Sequence, residues 1–267
     1  MEGIGLIAGD GRFPLIFAEG VKKNGGIKII AIGLEDITAP ILKDYVDKLY
    51  WIKVGQLGRL IKILKRENVK KVVMAGKVSK TLMFTKIRPD IRAITLYMRL
   101  KDRKDDSLLL GIVSELEKED IKVEEPTRYV PHLLAEKGVI TKRKPKKDEL
   151  KDIEFGWPIA KEMGRLDIGQ TVVVKGRAVL AVEAIEGTDA AIRRGAELGR
   201  GGVVVIKAAK PKQDMRFDAP VVGLNTIQIL KEAKAAALAV EAGKTILLEK
   251  EDMIKLADKE KICIIGI

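Results

Sequence analysis

The sequence predicts a two-domain α/β protein, with an N-terminal Rossmann-like, mostly parallel sheet in residues 1–130 and a C-terminal mixed α/β domain in 152–267. Three observations predict it. Short apolar runs alternate with segments of helical apolar spacing, the pattern of strands joined by crossover helices. A shift in composition over 131–151, which includes the basic run Thr141-Lys142-Arg143-Lys144-Pro145-Lys146-Lys147, reads as a linker. The length of 267 residues then allows two modest domains, each burying its own core.

In the first domain, Gly3-Ile4-Gly5-Leu6-Ile7-Ala8 reads as a strand. Gly9-Asp10-Gly11 turns the chain into a helix from Phe13, with Pro14 suited to its first turn. A strand, a glycine turn and a helix start can cradle a phosphate, because the first helical amides point at an anion. The third glycine of the dinucleotide fingerprint is missing, so a tight turn is an equal reading. Ile27–Ile32 is the next strand, Gly55–Leu64 a helix ending near Asn68, and Lys71–Ala75 a strand followed by Gly76-Lys77-Val78-Ser79. Ligands of open α/β sheets sit outside the carboxyl ends of strands, so Gly76, Lys77 and Ser79 join Gly9 and Gly11 as candidate substrate contacts. Asp105 and Asp106 read as caps opening a helix, ahead of the other use of a paired carboxylate, holding a metal, and Ile121-Lys122-Val123 closes the sheet.

The second domain opens with a helix around Ile159–Met163, then a turn over Gly164–Gln170. A hairpin follows through Thr171–Val174, Gly176-Arg177 and Ala178–Glu183. Gly187-Thr188-Asp189 starts a helix with Thr188 or Asp189 as its cap, and Gly201–Ile206 leads into a buried strand. Ile227–Ala242, rich in alanine, reads as a helix. Thr245–Leu248 and Ile262–Ile265 read as terminal strands around a helix at Asp252–Ala257.

Composition narrows the function. No apolar run approaches the roughly 20 residues of a spanning helix. No basic-then-apolar leader precedes the first strand, so a cytoplasmic protein is expected. The single cysteine, Cys263, rules out an internal disulfide framework and reads as a small buried hydrophobe. The single histidine, His132, leaves no His-based triad or His-rich metal centre. A net charge of +12 has three readings: ion-pair networks of thermal adaptation, attraction to an anionic membrane surface, or nucleic acid. Only 4% aromatic residues argues against stacking on single strands, so nucleic acid ranks last.

The chemistry gathers between Leu180 and Pro220. The acids Glu183, Glu186, Asp189, Asp214 and Asp218 are oxygen donors of the kind that hold Mg²⁺ together with substrate phosphates. Arg193, Arg194, Lys210, Lys212 and Arg216 can clamp phosphoryl oxygens. Read this way, the stretch is a site for an anionic, phosphorylated ligand. The blander reading pairs these acids and bases with each other on solvated faces.

These residues also carry a resemblance. Gly5–Gly9, Ala75–Val78, Asp105-Asp106, Arg165–Gln170, Val182–Asp189 and Arg216-Phe217-Asp218-Ala219-Pro220 resemble the LpxI family of UDP-2,3-diacylglucosamine pyrophosphatases. The likeness runs along nearly the whole chain. It implies Mg²⁺-dependent hydrolysis of UDP-2,3-diacylglucosamine to lipid X and UMP in lipid A synthesis. It further implies water directed at the sugar-side phosphorus and two domains that enclose the lipid product. The family's Arg-x-Asp-x-Pro motif matches Arg216, Asp218 and Pro220; Ala219 stands where leucine is common, and Asp214 where the family varies.

The expected roles follow. Asp218, Arg216 and Asp189 serve the chemistry, with Asp218 and Glu183 on the metal. Gly187, Thr188, Arg193 and Lys210 join the first-domain glycines, Lys77 and Ser79 on the substrate. Expected partners are the lipid substrate and product and the inner leaflet of the membrane, reached peripherally; no nucleic acid is expected, and a homodimer is compatible. A non-catalytic nucleotide or anionic-lipid binder is the alternative, separated by whether added Mg²⁺ releases UMP.

Overall fold

The computed structural model describes residues 3–78, 88–100 and 105–267. They form two units divided between Val130 and Pro131. In the first, β1 (Gly3–Ala8), β2 (Lys28–Leu34), β3 (Lys48–Ile52), β4 (Lys71–Ala75) and β5 (Lys122–Val123) make one sheet in the order β3-β2-β1-β4-β5. Every pairing is parallel, the geometry that alternating strands and helices predict. Among the described residues the helices are α1 (Phe13–Lys23), α2 (Leu57–Arg66), α3 (Ile91–Arg99) and α4 (Asp105–Glu117). Strand β3 has no counterpart in the sequence reading. It is an edge strand with half-buried Leu49, Tyr50 and Trp51, too short and too basic in its flanks to stand out.

Helix starts in this unit are held by a shared carboxylate. Asp90 caps α3 by accepting from Ala93 N (3.0 Å), and its other oxygen accepts from Gly58 N (2.7 Å) at the start of α2. Arg92 then ties α3 to the far end of α4, donating to Glu115 (2.7 Å) and Glu119 (2.7 Å). Lys65 of α2 also reaches Glu119 (2.7 Å).

The second unit has a six-stranded sheet in the order β6-β13-β11-β9-β7-β8. It comprises β6 (Gly138–Val139), β7 (Thr171–Lys175), β8 (Ala178–Val182), β9 (Val204–Lys207), β11 (Ala237–Val240) and β13 (Cys263–Gly266). A separate pair joins β10 (Val221–Val222) to β12 (Ile246–Leu247). Period-two alternation splits the core. Val172, Val174, Val204, Ile206, Ala237 and Ala239 meet Ile153, Ala160 and Met163 of α5 (Lys147–Arg165). Val173, Val205, Leu238 and Ile264 meet the opposite layer, which is α6 (Thr188–Gly199), α7 (Leu224–Glu232) and α8 (Lys250–Lys259).

Two sequence expectations change here. The alanine-rich stretch is not one helix: α7 ends at Glu232, and Ala237–Val240 is strand β11, paired on both sides by β9 and β13. Small residues buried on both faces of a central strand outweigh alanine's helix preference. The segment read as a linker is packed into the second unit. Thr141 Oγ1 accepts from Ile264 N (2.9 Å), β6 extends the sheet beside β13, and Arg143 donates to Glu149 (2.5 Å) and the Ala236 carbonyl (3.2 Å). Helix α5 accordingly starts at Lys147, well before Ile159.

Hydrogen bonds from Lys65 and Arg92 hold the Glu119 carboxyl down at about 2. A depressed carboxylate stabilises the fold above its unfolded pKa, and that contribution is lost as pH falls through the folded value. The stability gap between wild type and Arg92→Met, measured by urea unfolding, is therefore expected to be widest above about pH 5 and to close toward about pH 2.

Candidate active site at the carboxyl edge of the second sheet

Strands β8 and β9 both run antiparallel to β7, and β11 and β13 run parallel to β9. The carboxyl ends of β8, β9, β11 and β13 therefore share one edge with the first residue of β7. Register puts Thr171 opposite Lys207, and Glu183 N donates to the Thr171 carbonyl (2.8 Å). On this edge Thr188 Oγ1 donates to Glu183 Oε1 (2.9 Å), and Lys207 Nζ donates to Thr188 Oγ1 (3.0 Å). The Gln170 amide lies 3.4 Å from Glu183 Oε2. Glu183 and Thr188 are thus brought together, though Thr188 does not cap α6. That place belongs to Gly187, at φ 83°.

The loop leaving β9 carries the Arg-x-Asp-x-Pro residues. Its start is fixed by Glu241, one residue past β11, which accepts from Ala209 N (2.8 Å) and Lys161 Nζ (2.9 Å). Burial pushes the Glu241 carboxyl up, and hydrogen bonds from Lys244 and Lys161 outweigh it and hold it low. Further along, Arg216 grips Asp214, with Nε at 3.0 Å from Oδ1 and Nη2 at 2.7 Å from Oδ2. That guanidinium holds the Asp214 carboxyl below the usual range against the effect of burial. Asp218 N donates to the Asp214 carbonyl (2.9 Å), so the Asp214–Arg216 pair shapes the turn that presents Asp218. Asp214, one of the candidate oxygen donors, is Arg216's anchor. Ile246 N then holds the Pro220 carbonyl (2.8 Å), closing the loop onto β12.

Other expected contacts are spent on the protein itself. Lys210 binds Asp167 (2.7 Å), and Arg194 binds Glu186 (2.6 Å). Arg193 faces Glu232 (3.4 Å) near the C-terminal end of α7, away from the start of α6. Asp189, in the first turn of α6, accepts from Asn225 (3.2 Å) in the first turn of α7. Cys263 is buried, and burial pushes its thiol up, as expected of a packing residue.

In the first unit the glycine turns bind each other. Asp10 N donates to the Lys77 carbonyl (2.7 Å) and Lys77 N to the Asp10 carbonyl (3.0 Å), while Gly9 N donates to the Ala75 carbonyl (2.8 Å). A Cβ on Gly9 would stand 2.6 Å from the Lys77 carbonyl oxygen, and one on Gly76 (φ 95°) 2.7 Å from that of Asp10. These glycines serve close backbone approach, and the amides of Gly9, Asp10 and Lys77 are committed within the protein. Gly11 (φ 90°) keeps open space around its Cα, and Ser79 lies outside the described residues.

The side chains here are of the type a hard divalent cation takes. Glu183, Asp218 and the buried Gln170 Oε1, which has no hydrogen-bond partner, are all oxygen donors. Among the described residues no three His, Cys, Asp or Glu side chains converge, so these residues offer no cage by themselves. Mg²⁺ usually keeps waters and takes one or two carboxylates plus substrate phosphates, and Glu183 and Asp218 are the carboxylates that could take that part.

Fold and site together define a two-unit α/β protein whose polar groups collect at the strand ends of the C-terminal sheet. The LpxI N-terminal domain matches residues 3–133, and the LpxI C-terminal domain matches residues 136–265. A curated relative, UDP-2,3-diacylglucosamine pyrophosphatase LpxI of Caulobacter vibrioides, is 34% identical over 278 residues, covering 100% of this chain and 98% of its own. The chain belongs to the LpxI family. Among solved structures, the biotin carboxylase domain of Hydrogenobacter thermophilus 2-oxoglutarate carboxylase aligns over 66% of this chain and 35% of that one, at 15% identity and a TM-score of 0.28.

Gly169 packs so closely that a Cβ there would overlap the Glu183 carbonyl oxygen. Gly169→Ala is expected to push Glu183 off the sheet edge and destabilise the protein by about 1–3 kcal/mol, read from urea unfolding. An unchanged unfolding midpoint would show that the edge yields freely.

Proposed function

We propose that the protein hydrolyses the diphosphate bond of UDP-2,3-diacylglucosamine, releasing UMP and 2,3-diacylglucosamine 1-phosphate, with Mg²⁺ as its cofactor. The observation that carries this reading is membership of the LpxI family along the whole chain, with a pyrophosphatase relative covered from end to end. The site supports it independently. A diphosphate ester needs charge compensation and an oriented water, and the carboxyl edge offers fixed carboxylates beside a buried ammonium and a helix start.

The roles divide by position. Asp218 stands on a loop fixed at both ends, so its carboxylate is the group best placed to orient the attacking water or hold the cation. Arg216 acts through the turn, since its guanidinium is engaged with Asp214. Glu183 and Gln170 Oε1 are the further oxygens for the cation. Bound there, Mg²⁺ would neutralise the diphosphate and ease ionisation of water. Thr188 holds Glu183, and Asp189 with Asn225 aligns the first turns of α6 and α7. No helix among the described residues is long and apolar enough to cross a membrane. A lipid-bearing substrate then calls for work at a membrane surface, which the net charge of +12 favours where the lipids are anionic.

Asp218→Ala and Asp218→Asn should keep wild-type melting curves and lose at least about 100-fold in kcat, because the interaction is made in the transition state. Retention of most turnover by either variant would remove Asp218 from the chemistry. Chelation with EDTA should stop UMP release, and Mg²⁺ should restore it; hydrolysis unaffected by EDTA would exclude the metal. Running the reaction in ¹⁸O-water identifies the attacked phosphorus, with label expected in the sugar phosphate and absent from UMP.

A further inference from the structure

We infer that Lys207 is a positioning residue for this hydrolysis, acting through the Thr188 hydroxyl on the Glu183 carboxylate. The inference rests on the reaction proposed above and adds to it a residue with a stated job.

The argument begins with the strand. Alternation along β9 puts Val204 and Ile206 on the α5 side and Val205 on the α6 side, so Lys207 falls on the α6 side. It is 7% exposed at a position where an apolar side chain would continue the pattern. Burying an ammonium costs free energy that packing alone does not require. Its protons settle the direction of the contacts around it. An ammonium can only donate, and Thr188 Oγ1 at 3.0 Å accepts. The single hydroxyl proton of Thr188 must then point elsewhere, and Glu183 Oε1 at 2.9 Å takes it. Thr171 Oγ1, at 3.5 Å from Thr188, is too far to compete.

The chain therefore runs one way, from ammonium to hydroxyl to carboxylate. A cation donating to the hydroxyl oxygen also makes that hydroxyl a stronger donor. Glu183 is left with Oε1 bound to the interior, while Oε2 has only the long contact to the Gln170 amide among the described residues. Lys207 thus sets which carboxylate oxygen faces the reaction. With the ammonium gone, the hydroxyl is free to turn and Glu183 loses its fixed orientation.

The test measures kcat and KM for UMP release from UDP-2,3-diacylglucosamine in detergent, with melting curves for every variant. Lys207→Met and Thr188→Val are each expected to lower kcat at least about 30-fold with KM within about 3-fold, while Thr188→Ser stays within about 5-fold of wild type. The double variant should fall no more than about 3-fold below the worse single, since both break one chain. A Lys207→Met enzyme with near wild-type kcat overturns the inference, as do losses that multiply in the double variant or a rise in KM alone. If Lys207→Met does not fold, the Thr188 pair decides: equal activity of the valine and serine forms overturns it. Wild-type protein that releases no UMP would sink the proposed reaction and this inference together, an outcome distinct from failure of the variants.

Discussion

Everything at the candidate site depends on one reversed strand. Because β7 runs against both of its neighbours, its first residue meets the last residues of β8 and β9, and Thr171 stands between Glu183 and Lys207. Turned the other way, β7 would carry Thr171 to the opposite edge of the sheet. The register that fixes this meeting is set by apolar packing on both faces. A slip of one residue would exchange the faces and carry each buried valine into the core layer shaped for its neighbour. Core packing thus sets the geometry of polar groups that take no part in the core.

The loop leaving β9 follows a similar logic. It is tied at its start by Glu241 and Lys161, in the middle by Asp214 and Arg216, and at its end by the Ile246 amide. Irregular backbone fixed at three points loses little further freedom when a ligand arrives, which is how loop residues reach the precision catalysis needs. The basic and acidic residues that look redundant in the sequence are largely these ties. The pairing reading of the charged stretch holds for Arg216 with Asp214 and Lys210 with Asp167, while Glu183 with Thr188 and Lys207 stands at the strand ends.

Much of the fold was legible because apolar periodicity carries it. The hairpin of β7 and β8, the strands β1, β4, β9 and β13, and helix α2 fall where the pattern puts them. Strand β11 was hidden because alanine favours a helix locally, and only its neighbours on both sides make Ala237–Val240 extended. The basic run 141–147 imitates a linker because its charges read as solvated, yet Arg143 and Thr141 are used by the second unit. At the site, Glu183, Thr188 and Asp218 could be named from their places in motifs. Lys207 could not, since a lysine closing an apolar run looks like the strand's exit into solvent; its signal was the α6-facing parity it shares with Val205. At Gly9 and Gly76 the close backbone approach is itself a reason for glycine, one that the sequence does not separate from phosphate binding because both ask for the same residue.

The pairing of β6 with β13 bears on how the C-terminal half can be handled in isolation. A gene fragment opening at residue 152 would discard the short strand that covers Ile265 and Gly266, along with the Thr141 hydroxyl bound to Ile264. It would leave a hydrophobic border with unpaired amides, the kind of surface that recruits other chains and precipitates. Recombinant versions of that half should therefore begin at or before Pro131.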